Sequence, residues 1–209
     1  MIKKVGKIDL SQYQTNASGL PPMDDPRPCR ELDSGKEFNY LEIGCGDGKL
    51  FSRFRERAKV CYGVEPGNWF DEPTIVTDIT KLPSGLKFDV IVLHDILEHL
   101  EDPLGMMQRC KNLSNQGARI YCSFPNKDSW VAKVRKEKWD MVRPFGHLHY
   151  FSKKSSAILF DTSKWKITER YTHPGPKIDW RNILKVKRFF EDIVCAHHQW
   201  YWIGIFECE

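Results

Sequence analysis

Two features that would place this chain in or beyond a membrane are missing. No apolar run in the 209 residues approaches the roughly 20 residues needed to cross a bilayer. The first ten residues, MIKKVGKIDL, carry lysines but no apolar segment of the kind that a secretory signal needs. With 41% hydrophobic and 29% charged residues, the composition is that of an ordinary globular protein. We therefore expect one cytoplasmic domain without a membrane span.

Motifs for disulfide frameworks and hydrolytic catalysis are also missing. The seven cysteines include no C-x-x-C pair, and several fall in predicted strands and helices, where a free cysteine acts as a small apolar residue. No G-x-S-x-G nucleophile elbow occurs, which argues against a serine hydrolase. The cysteines are therefore expected to fill the core.

A strong positive charge is absent as well, since the formal net charge is only +4. Basic runs occur at residues 53–59, 133–138 and 181–188, the last two with tryptophans nearby. Such a mixture can bind nucleic acid. Solvated helix faces explain it more simply, so a nucleic-acid partner is not expected.

What the chain does carry is a glycine-rich turn between a strand and a helix. In LEIGCGDGKL, residues 41–50, an apolar strand leads into Gly44, Gly46 and Gly48, and a helix with an apolar face is predicted over residues 49–58. Glycines allow positive φ and let backbone amides approach a ligand closely. The dinucleotide pattern G-x-G-x-x-G would need a glycine in place of the lysine that opens the helix, so an NAD fold is not indicated.

Acidic residues lie at or near the ends of the next two predicted strands. The apolar run at residues 60–64 ends at Glu65, and a carboxylate there suits the two hydroxyls of a ribose because it only accepts hydrogen bonds. Residues 74–80 predict a third, short strand followed by Asp78. On its own, that segment is explained as a polar turn closed by Pro83.

Two further strands are predicted in the same order. Within residues 88–103, FDVIVLHDILEHLEDP, a buried parallel strand at 90–93 is followed by a polar break and a helix that begins near Asp102 and Pro103. Residues 117–125, GARIYCSFP, predict a fifth strand with a glycine at its start and a proline at its end.

The E-x-G-x-G-x-G turn, Glu65, the TDITKLP segment and the loop after the fourth strand together resemble class I S-adenosylmethionine-dependent methyltransferases, small-molecule type, a group that includes ubiquinone-biosynthesis and glycan enzymes. The resemblance covers about residues 38–160. It implies a single Rossmann-like α/β domain with a mostly parallel seven-stranded sheet, an antiparallel last strand and helices on both faces. It also implies S-adenosyl-L-methionine as methyl donor and S-adenosyl-L-homocysteine as product.

The resemblance implies a cofactor site built from several loops at the carboxyl edge of the sheet. The methionine end would face the glycine turn and the loop after the fourth strand, the ribose would face the second strand, and the adenine the third. The residues implied are Glu42, Gly44, Cys45, Gly46, Gly48, Glu65, Pro66, Asp78, Ile79, His94 and Asp95. His94, Asp95 and Ile96 stand where DNA methyltransferases carry Pro-Pro-aromatic or Pro-Cys motifs, which again argues against nucleic acid.

Methyl transfer is an in-line displacement that needs alignment, exclusion of water and often a base. Histidine titrates near neutral pH and suits that role. His94, with Asp95, is the titratable group nearest the expected methyl. His147 and His149 alternate in GHLHYFS and could face one side of an extended segment. A similar segment lies beside the substrate cavity in the proteins that this chain resembles, so one of these two histidines is favoured as the base.

His99 is a fourth catalytic candidate, in LEHLED beside Glu98. The pair could orient substrate, bind a divalent ion, or cap or pack a helix. The capping or packing role is favoured, because one Glu–His pair offers too few ligands for a metal. No metal site is therefore expected.

Residues 1–37 are predicted to form an N-terminal extension or lid, with Tyr13, Gln14 and Tyr40 as ligand-facing groups. Residues 38–209 form the predicted methyltransferase domain, with insertions near 127–152 and 172–199. The later elements predicted are helices at 131–139, 155–160 and 180–195 and strands at 165–171 and 201–208.

The leading functional hypothesis is methyl transfer to O or N of a small-molecule acceptor such as a sugar, a quinone precursor or a secondary metabolite. One alternative is a partner protein that binds the cofactor without catalysis, motivated by the lack of an unmistakable base. Another is a nucleic-acid methyltransferase, motivated by the basic segment with its tryptophans.

Overall fold

The computed structural model describes residues 35–67, 72–143, 145–172 and 199–207. Within these residues, seven strands alternate with four α-helices and three short 3-10 turns. The strands are β1 (Asn39–Ile43), β2 (Val60–Val64), β3 (Ile75–Val76), β4 (Phe88–His94), β5 (Ser114–Pro125), β6 (Lys166–Thr172) and β7 (Gln199–Ile205). The α-helices are α1 (Lys49–Arg55), α2 (Pro103–Asn112), α3 (Trp130–Arg135) and α4 (Lys153–Thr162), and the 3-10 turns are Ile79–Lys81, Leu97–His99 and Lys136–Lys138.

The strands form one sheet in the order β3-β2-β1-β4-β5-β7-β6. β1 pairs in parallel with β2 and β4, β2 with β3, and β4 with β5. β7 runs antiparallel to both of its neighbours, β5 and β6. The strand order reverses between β1 and β4, and in open α/β sheets ligands bind at such a reversal, outside the carboxyl ends of the strands. The predicted sheet, with its antiparallel last strand, is confirmed.

Alternating side chains along the central strands build an apolar layer on each face of the sheet. Tyr40 packs in a layer that includes Phe54 of α1. Its neighbour Leu41 lies in the other layer, with Met107 of α2 and Phe160 of α4. All five side chains are fully buried, and burying each large apolar side chain stabilises the fold by roughly 1.5–3 kcal/mol. Helices thus cover both faces, as predicted.

Several boundaries differ from prediction for local reasons. The third strand is limited to Ile75–Val76, because Asp78 accepts a hydrogen bond from the amide of Thr80 at 2.8 Å and begins a 3-10 turn. The helix predicted at 131–139 is interrupted at Lys136, whose φ is 48°.

The ends of other elements move by a few residues. α1 ends at Arg55 rather than at residue 58, although the amide of Ala58 still bonds to the carbonyl of Phe54 at 2.8 Å. β5 begins before its predicted glycine, because Ser114 already pairs with Phe88 of β4.

Four cysteines lie within the described residues, and all four are free and buried: Cys45, Cys61, Cys110 and Cys122. The core-filling prediction is confirmed for them. Among the described residues, no helix has both the length and the hydropathy needed to cross a membrane.

Some predictions fall outside the described residues. These are most of the N-terminal lid with Tyr13 and Gln14, the helix at 180–195, the basic run at 181–188, and Cys29, Cys195 and Cys208.

Candidate functional site

The parallel strands β1, β2, β4 and β5 end at one edge of the sheet, so the loops that follow them meet there. Backbone hydrogen bonds tie these loops together. The amide of Gly44 donates to the carbonyl of Val64 at 2.7 Å, and the amide of Asp95 donates to the carbonyl of Ser123 at 3.0 Å. The glycine turn and the loops after β2 and β4, predicted from separate parts of the sequence, are therefore neighbours in the fold.

The glycine turn adopts a conformation that other residues rarely take. The φ angles of Gly44, Gly46 and Gly48 are 76°, 50° and 73°. A Cβ on Gly46 would meet nothing within 4 Å, whereas one on Gly44 would lie 2.1 Å from the side chain of Ile96. Gly46 therefore faces open space, whereas the missing side chain of Gly44 leaves space for Ile96 in the loop after β4. Cys45 lies between them with only 5% of its surface exposed, so its thiol belongs to the core.

Glu65 links the end of β2 to the glycine turn. One carboxylate oxygen accepts from the amide of Gly46 and the other from the amide of Gly67, each at 2.9 Å. A carboxylate only accepts hydrogen bonds, and these two bonds fix its orientation. Pro66 follows as an exposed residue of the same loop.

Glu42 is buried behind the turn. Its carboxyl accepts a 2.8 Å hydrogen bond from the hydroxyl of Tyr40, and only 3% of the residue is exposed. Burial raises the pKa of Glu42 to about 8. Tyr40 is fully buried and stacks on Phe54 with ring centroids 4.1 Å apart. The prediction that Tyr40 faces the ligand is wrong, because the alternation of β1 turns its ring into the core.

The loop after β3 presents Asp78 at the surface. Both the amide and the hydroxyl of Thr80 donate to it, at 2.8 and 2.6 Å, and these bonds lower the pKa of Asp78. The carboxylate is thus ionised and exposed. The side chain of Ile79 is buried in the core, so the backbone of Ile79 is the part left for a ligand.

His94 and Asp95 end β4 and meet Ser123 of β5. Nδ1 of His94 is hydrogen-bonded to the hydroxyl of Ser123, and Nε2 lies 3.5 Å from the carboxylate of Asp95. The hydroxyl of Ser123 also donates to Asp95 at 3.2 Å. The side chains of His94 and Asp95 are 30% and 31% exposed. Asp95 has a φ of 50°, a strained value that directs its side chain into this group.

Sequence reasoning missed Ser123. It is the one serine in the apolar end of β5, and its Cα pairs with that of His94. A polar residue beside a candidate histidine on the adjacent strand was the available signal, but it depends on strand register, which the sequence does not specify.

The other three candidate histidines lie along the segment after α3 and the turn after β4. The amides of Leu148 and His149 both donate to the carbonyl of Glu98, at 2.7 and 3.1 Å, which fixes the two segments together. The rings of His99 and His147 meet edge to face, 4.7 Å between centroids. His149 instead stacks on Phe151 at 6.0 Å.

Burial separates these histidines further. His147 is buried, its Nδ1 lies 2.8 Å from the carbonyl of Met141, and burial lowers its pKa to about 4. His99 is exposed, and its Nδ1 lies 2.8 Å from the carbonyl of Gly146. Glu98 is 1% exposed, and burial followed by the charge of Asp95 raises its pKa well above the ordinary value.

Comparison with known proteins agrees with this arrangement. A family model described as a methyltransferase domain matches residues 14–169. The ubiquinone biosynthesis O-methyltransferase of Pseudomonas aeruginosa is 26% identical over 136 residues, covering 53% of this chain and 56% of that protein. The protein of the same name from Saccharophagus degradans is 26% identical over 130 residues, covering 51% and 54%. The chain thus spans about half the length of the curated relatives that it matches.

Solved structures share the fold. An S-adenosylmethionine-dependent methyltransferase from Archaeoglobus fulgidus has a TM-score of 0.61 at 15% identity, covering 86% of this chain and 90% of that one. Magnesium protoporphyrin IX methyltransferase from Synechocystis, crystallised with S-adenosylhomocysteine, has a TM-score of 0.59 at 16% identity, covering 88% and 81%. With three quarters of the sequence matched by the family model, the chain belongs to the methyltransferase-domain family and has the class I S-adenosylmethionine-dependent methyltransferase fold.

Proposed function

We propose that this chain transfers a methyl group from S-adenosylmethionine to an oxygen or nitrogen of a small-molecule acceptor. The observation that best supports binding of the methyl donor is the contact between Glu65 and the glycine turn. The carboxylate that suits a ribose diol is held 2.9 Å from the amide of Gly46, at the point where the turn faces open space. One short region thereby offers a carboxylate for the ribose and backbone amides for the rest of the cofactor.

The other residues proposed to contact S-adenosylmethionine lie along the same edge of the sheet. Asp78 and the backbone of Ile79 lie beyond β3, on the side expected for the adenine. Glu42, Gly44 and Gly48 lie on the methionine side of the turn. Each of these roles rests on the resemblance together with the placement of the residues at one edge.

For the base we propose His94 in preference to His147 or His149. His94 lies at the carboxyl end of β4 and is about one third exposed, so substrate can reach its ring. His147 is a poor general base at neutral pH, because a group whose pKa is about 4 takes up a proton weakly. The ring of His149 is instead stacked on Phe151, with ring centroids 6.0 Å apart.

The acceptor class rests on the relatives. The curated proteins that match are named ubiquinone biosynthesis O-methyltransferases, which supports an oxygen acceptor on a small organic molecule. The matches do not favour a non-catalytic partner protein or a nucleic-acid methyltransferase. A sugar, a quinone precursor and a secondary metabolite are the acceptors to screen first.

Calorimetric titration of the full chain with S-adenosylhomocysteine tests the proposed cofactor site. We expect one site with a micromolar dissociation constant, weakened at least tenfold in Glu65→Gln, since a hydrogen bond to a charged group is worth about 1.5–3 kcal/mol. Glu56→Gln, which removes the same charge at the exposed end of α1, should bind as the unmodified protein does. Absence of binding by the unmodified protein would overturn the proposal.

A further inference from the structure

Three side chains from two distant segments converge beside the candidate site. Glu98 and His99 come from the turn after β4, and His147 comes from the segment before α4. One nitrogen or oxygen atom from each lies within 4.8 Å of the other two. The two hydrogen bonds from the 147–149 segment to the carbonyl of Glu98 hold this cluster together through the backbone. Sequence reasoning rejected a metal because a Glu–His pair is too small a ligand set, and the fold supplies the third member.

Both imidazoles are oriented by backbone carbonyls. Nδ1 of His99 lies 2.8 Å from the carbonyl of Gly146, and Nδ1 of His147 lies 2.8 Å from the carbonyl of Met141. A carbonyl only accepts, so each Nδ1 must carry the hydrogen and each Nε2 must hold the lone pair. Metal-binding histidines use this arrangement, in which the second ring nitrogen donates to a carbonyl and fixes the tautomer.

Glu98 supplies an observation independent of the cluster. Only 1% of the residue is exposed, and among the described residues its Oε2 atom has no hydrogen-bond partner. A buried polar atom without a partner costs about 1–3 kcal/mol, and more when charged. A cation at the cluster would satisfy that oxygen.

We propose that Glu98, His99 and His147 bind one divalent first-row transition-metal ion. Two imidazole nitrogens and one carboxylate suit Zn²⁺ or its neighbours, whereas Mg²⁺ and Ca²⁺ prefer oxygen ligands. Bonds of about 2.0–2.2 Å in a tetrahedral site separate the ligands by about 3.4 Å. Since the cluster atoms lie within 4.8 Å of one another, they close by about 1.4 Å at most on binding, and the exposed ring of His99 is the one able to move.

Three protein ligands leave a coordination position open. An acceptor hydroxyl bound there would lose its proton more readily, because a metal ion lowers the pKa of a bound oxygen. This role in catalysis rests on the proposed function, whereas the ion site itself does not.

Binding of Zn²⁺ to the chelator-treated full chain tests the site, measured by competition with a chromophoric chelator. We expect one equivalent bound, with an affinity that falls at least tenfold in His99→Ala and in Glu98→Gln and that millimolar Mg²⁺ leaves unchanged. Co²⁺ should give visible absorption bands of a low-coordinate site, and His99→Ala should abolish them. Because His99 is exposed, His99→Ala should keep the circular dichroism and the Tm of the unmodified protein, which separates ligand loss from unfolding.

Two controls identify adventitious binding. His149→Ala removes a neighbouring histidine outside the cluster, and the double variant His197→Ala/His198→Ala removes a histidine pair elsewhere in the chain; both should bind Zn²⁺ normally. Binding lost in a control and kept in His99→Ala would overturn the site, as would no stoichiometric binding at all. S-adenosylhomocysteine titrated into the same samples separates the two proposals. If it binds and Zn²⁺ does not, only the metal site is overturned. If Zn²⁺ binds and S-adenosylhomocysteine does not, only the proposed function is overturned.

Discussion

The hydroxyl of Tyr40 donates a 2.8 Å hydrogen bond to the carboxyl of Glu42, and both side chains are buried behind the glycine turn. The two residues lie two positions apart on β1, so their side chains share one face of the strand. Burial raises the pKa of Glu42 to about 8, against 4.5 for an ordinary glutamate. Near neutral pH this carboxyl is mostly protonated in the folded protein and ionised in the unfolded chain.

This difference predicts a pH dependence of stability. Between pH 4.5 and about 8 the folded state holds a proton on Glu42 that the unfolded state has lost, so the free energy of unfolding falls as pH rises. The slope from this group is at most about 1.4 kcal/mol per pH unit. In urea unfolding at pH 5, 6, 7 and 8, the unmodified protein should therefore lose stability with rising pH relative to Glu42→Gln.

The control for this effect is Glu56→Gln, which removes an exposed carboxylate at the end of α1. It should keep the pH dependence of the unmodified protein. Parallel curves for Glu42→Gln and the unmodified protein would show that Glu42 does not hold a proton in the fold.

An alanine in the glycine turn should lower both the stability of the fold and the affinity for S-adenosylhomocysteine. In Gly46→Ala the new methyl group meets open space, but alanine must adopt the left-handed backbone conformation of Gly46. That conformation should destabilise the fold by about 1–2 kcal/mol. Its methyl group lies where the cofactor is proposed to bind, so affinity for S-adenosylhomocysteine should fall at least tenfold. A variant that loses stability but binds normally would place the ligand elsewhere.

Gly44→Ala carries the same backbone strain and also meets the side chain of Ile96 at 2.1 Å. It should therefore cost more stability than Gly46→Ala. In a double-mutant cycle, Gly44→Ala combined with Ile96→Ala should cost less than the sum of the single variants, because removing Ile96 relieves the clash. Additive losses would show that the contact is relaxed by other movements.

Much of the sheet could be predicted from the sequence because its signals are local. The apolar runs of β2 and β4 and the glycine spacing identify strands and a turn without reference to the rest of the chain. The helix at α2 was predicted from Asp102 and Pro103, and Asp102 does accept the amide of Gly105 at 2.8 Å.

The contacts that the sequence left out are those between distant segments. Ser123 meets His94 only because β5 pairs with β4 in one register, and His147 meets His99 only because the 147–149 segment bonds to the carbonyl of Glu98. Neither contact has a local pattern. The error at Tyr40 has a similar origin, since its side of β1 is determined by packing on Phe54.

The four described cysteines should be chemically inert in the native protein. Burial raises the pKa of Cys45, Cys61 and Cys110 to about 12 and that of Cys122 well above its ordinary value. The thiolate is the reactive form. Iodoacetamide at pH 8, with labelled sites mapped by mass spectrometry, should leave all four unmodified in the native protein and modify them in urea. Native labelling of any of them would show that its layer of the core opens.

The group formed by His94, Asp95 and Ser123 predicts separate effects on chemistry and on cofactor binding. A general base typically contributes 10²–10⁴-fold to the rate, so His94→Gln should lower kcat by about that factor while changing the affinity for S-adenosylhomocysteine only a few-fold. Ser123→Ala removes the hydrogen bonds that orient His94 and Asp95. Such bonds are worth about 1.5–3 kcal/mol when a charged group is involved, so kcat should fall roughly 10–100-fold with KM little changed.

Release of S-adenosylhomocysteine in the presence of an acceptor found by screening measures both effects. Ser123→Thr keeps a hydroxyl and should restore part of the rate, which a purely structural role of Ser123 would not produce. His149→Gln, whose parent ring stacks on Phe151 outside this group, should keep kcat near that of the unmodified enzyme. If His149→Gln lost activity while His94→Gln retained it, the proton would be removed from the 147–149 side of the site, and Ser123 would act on the packing of β4 against β5 alone.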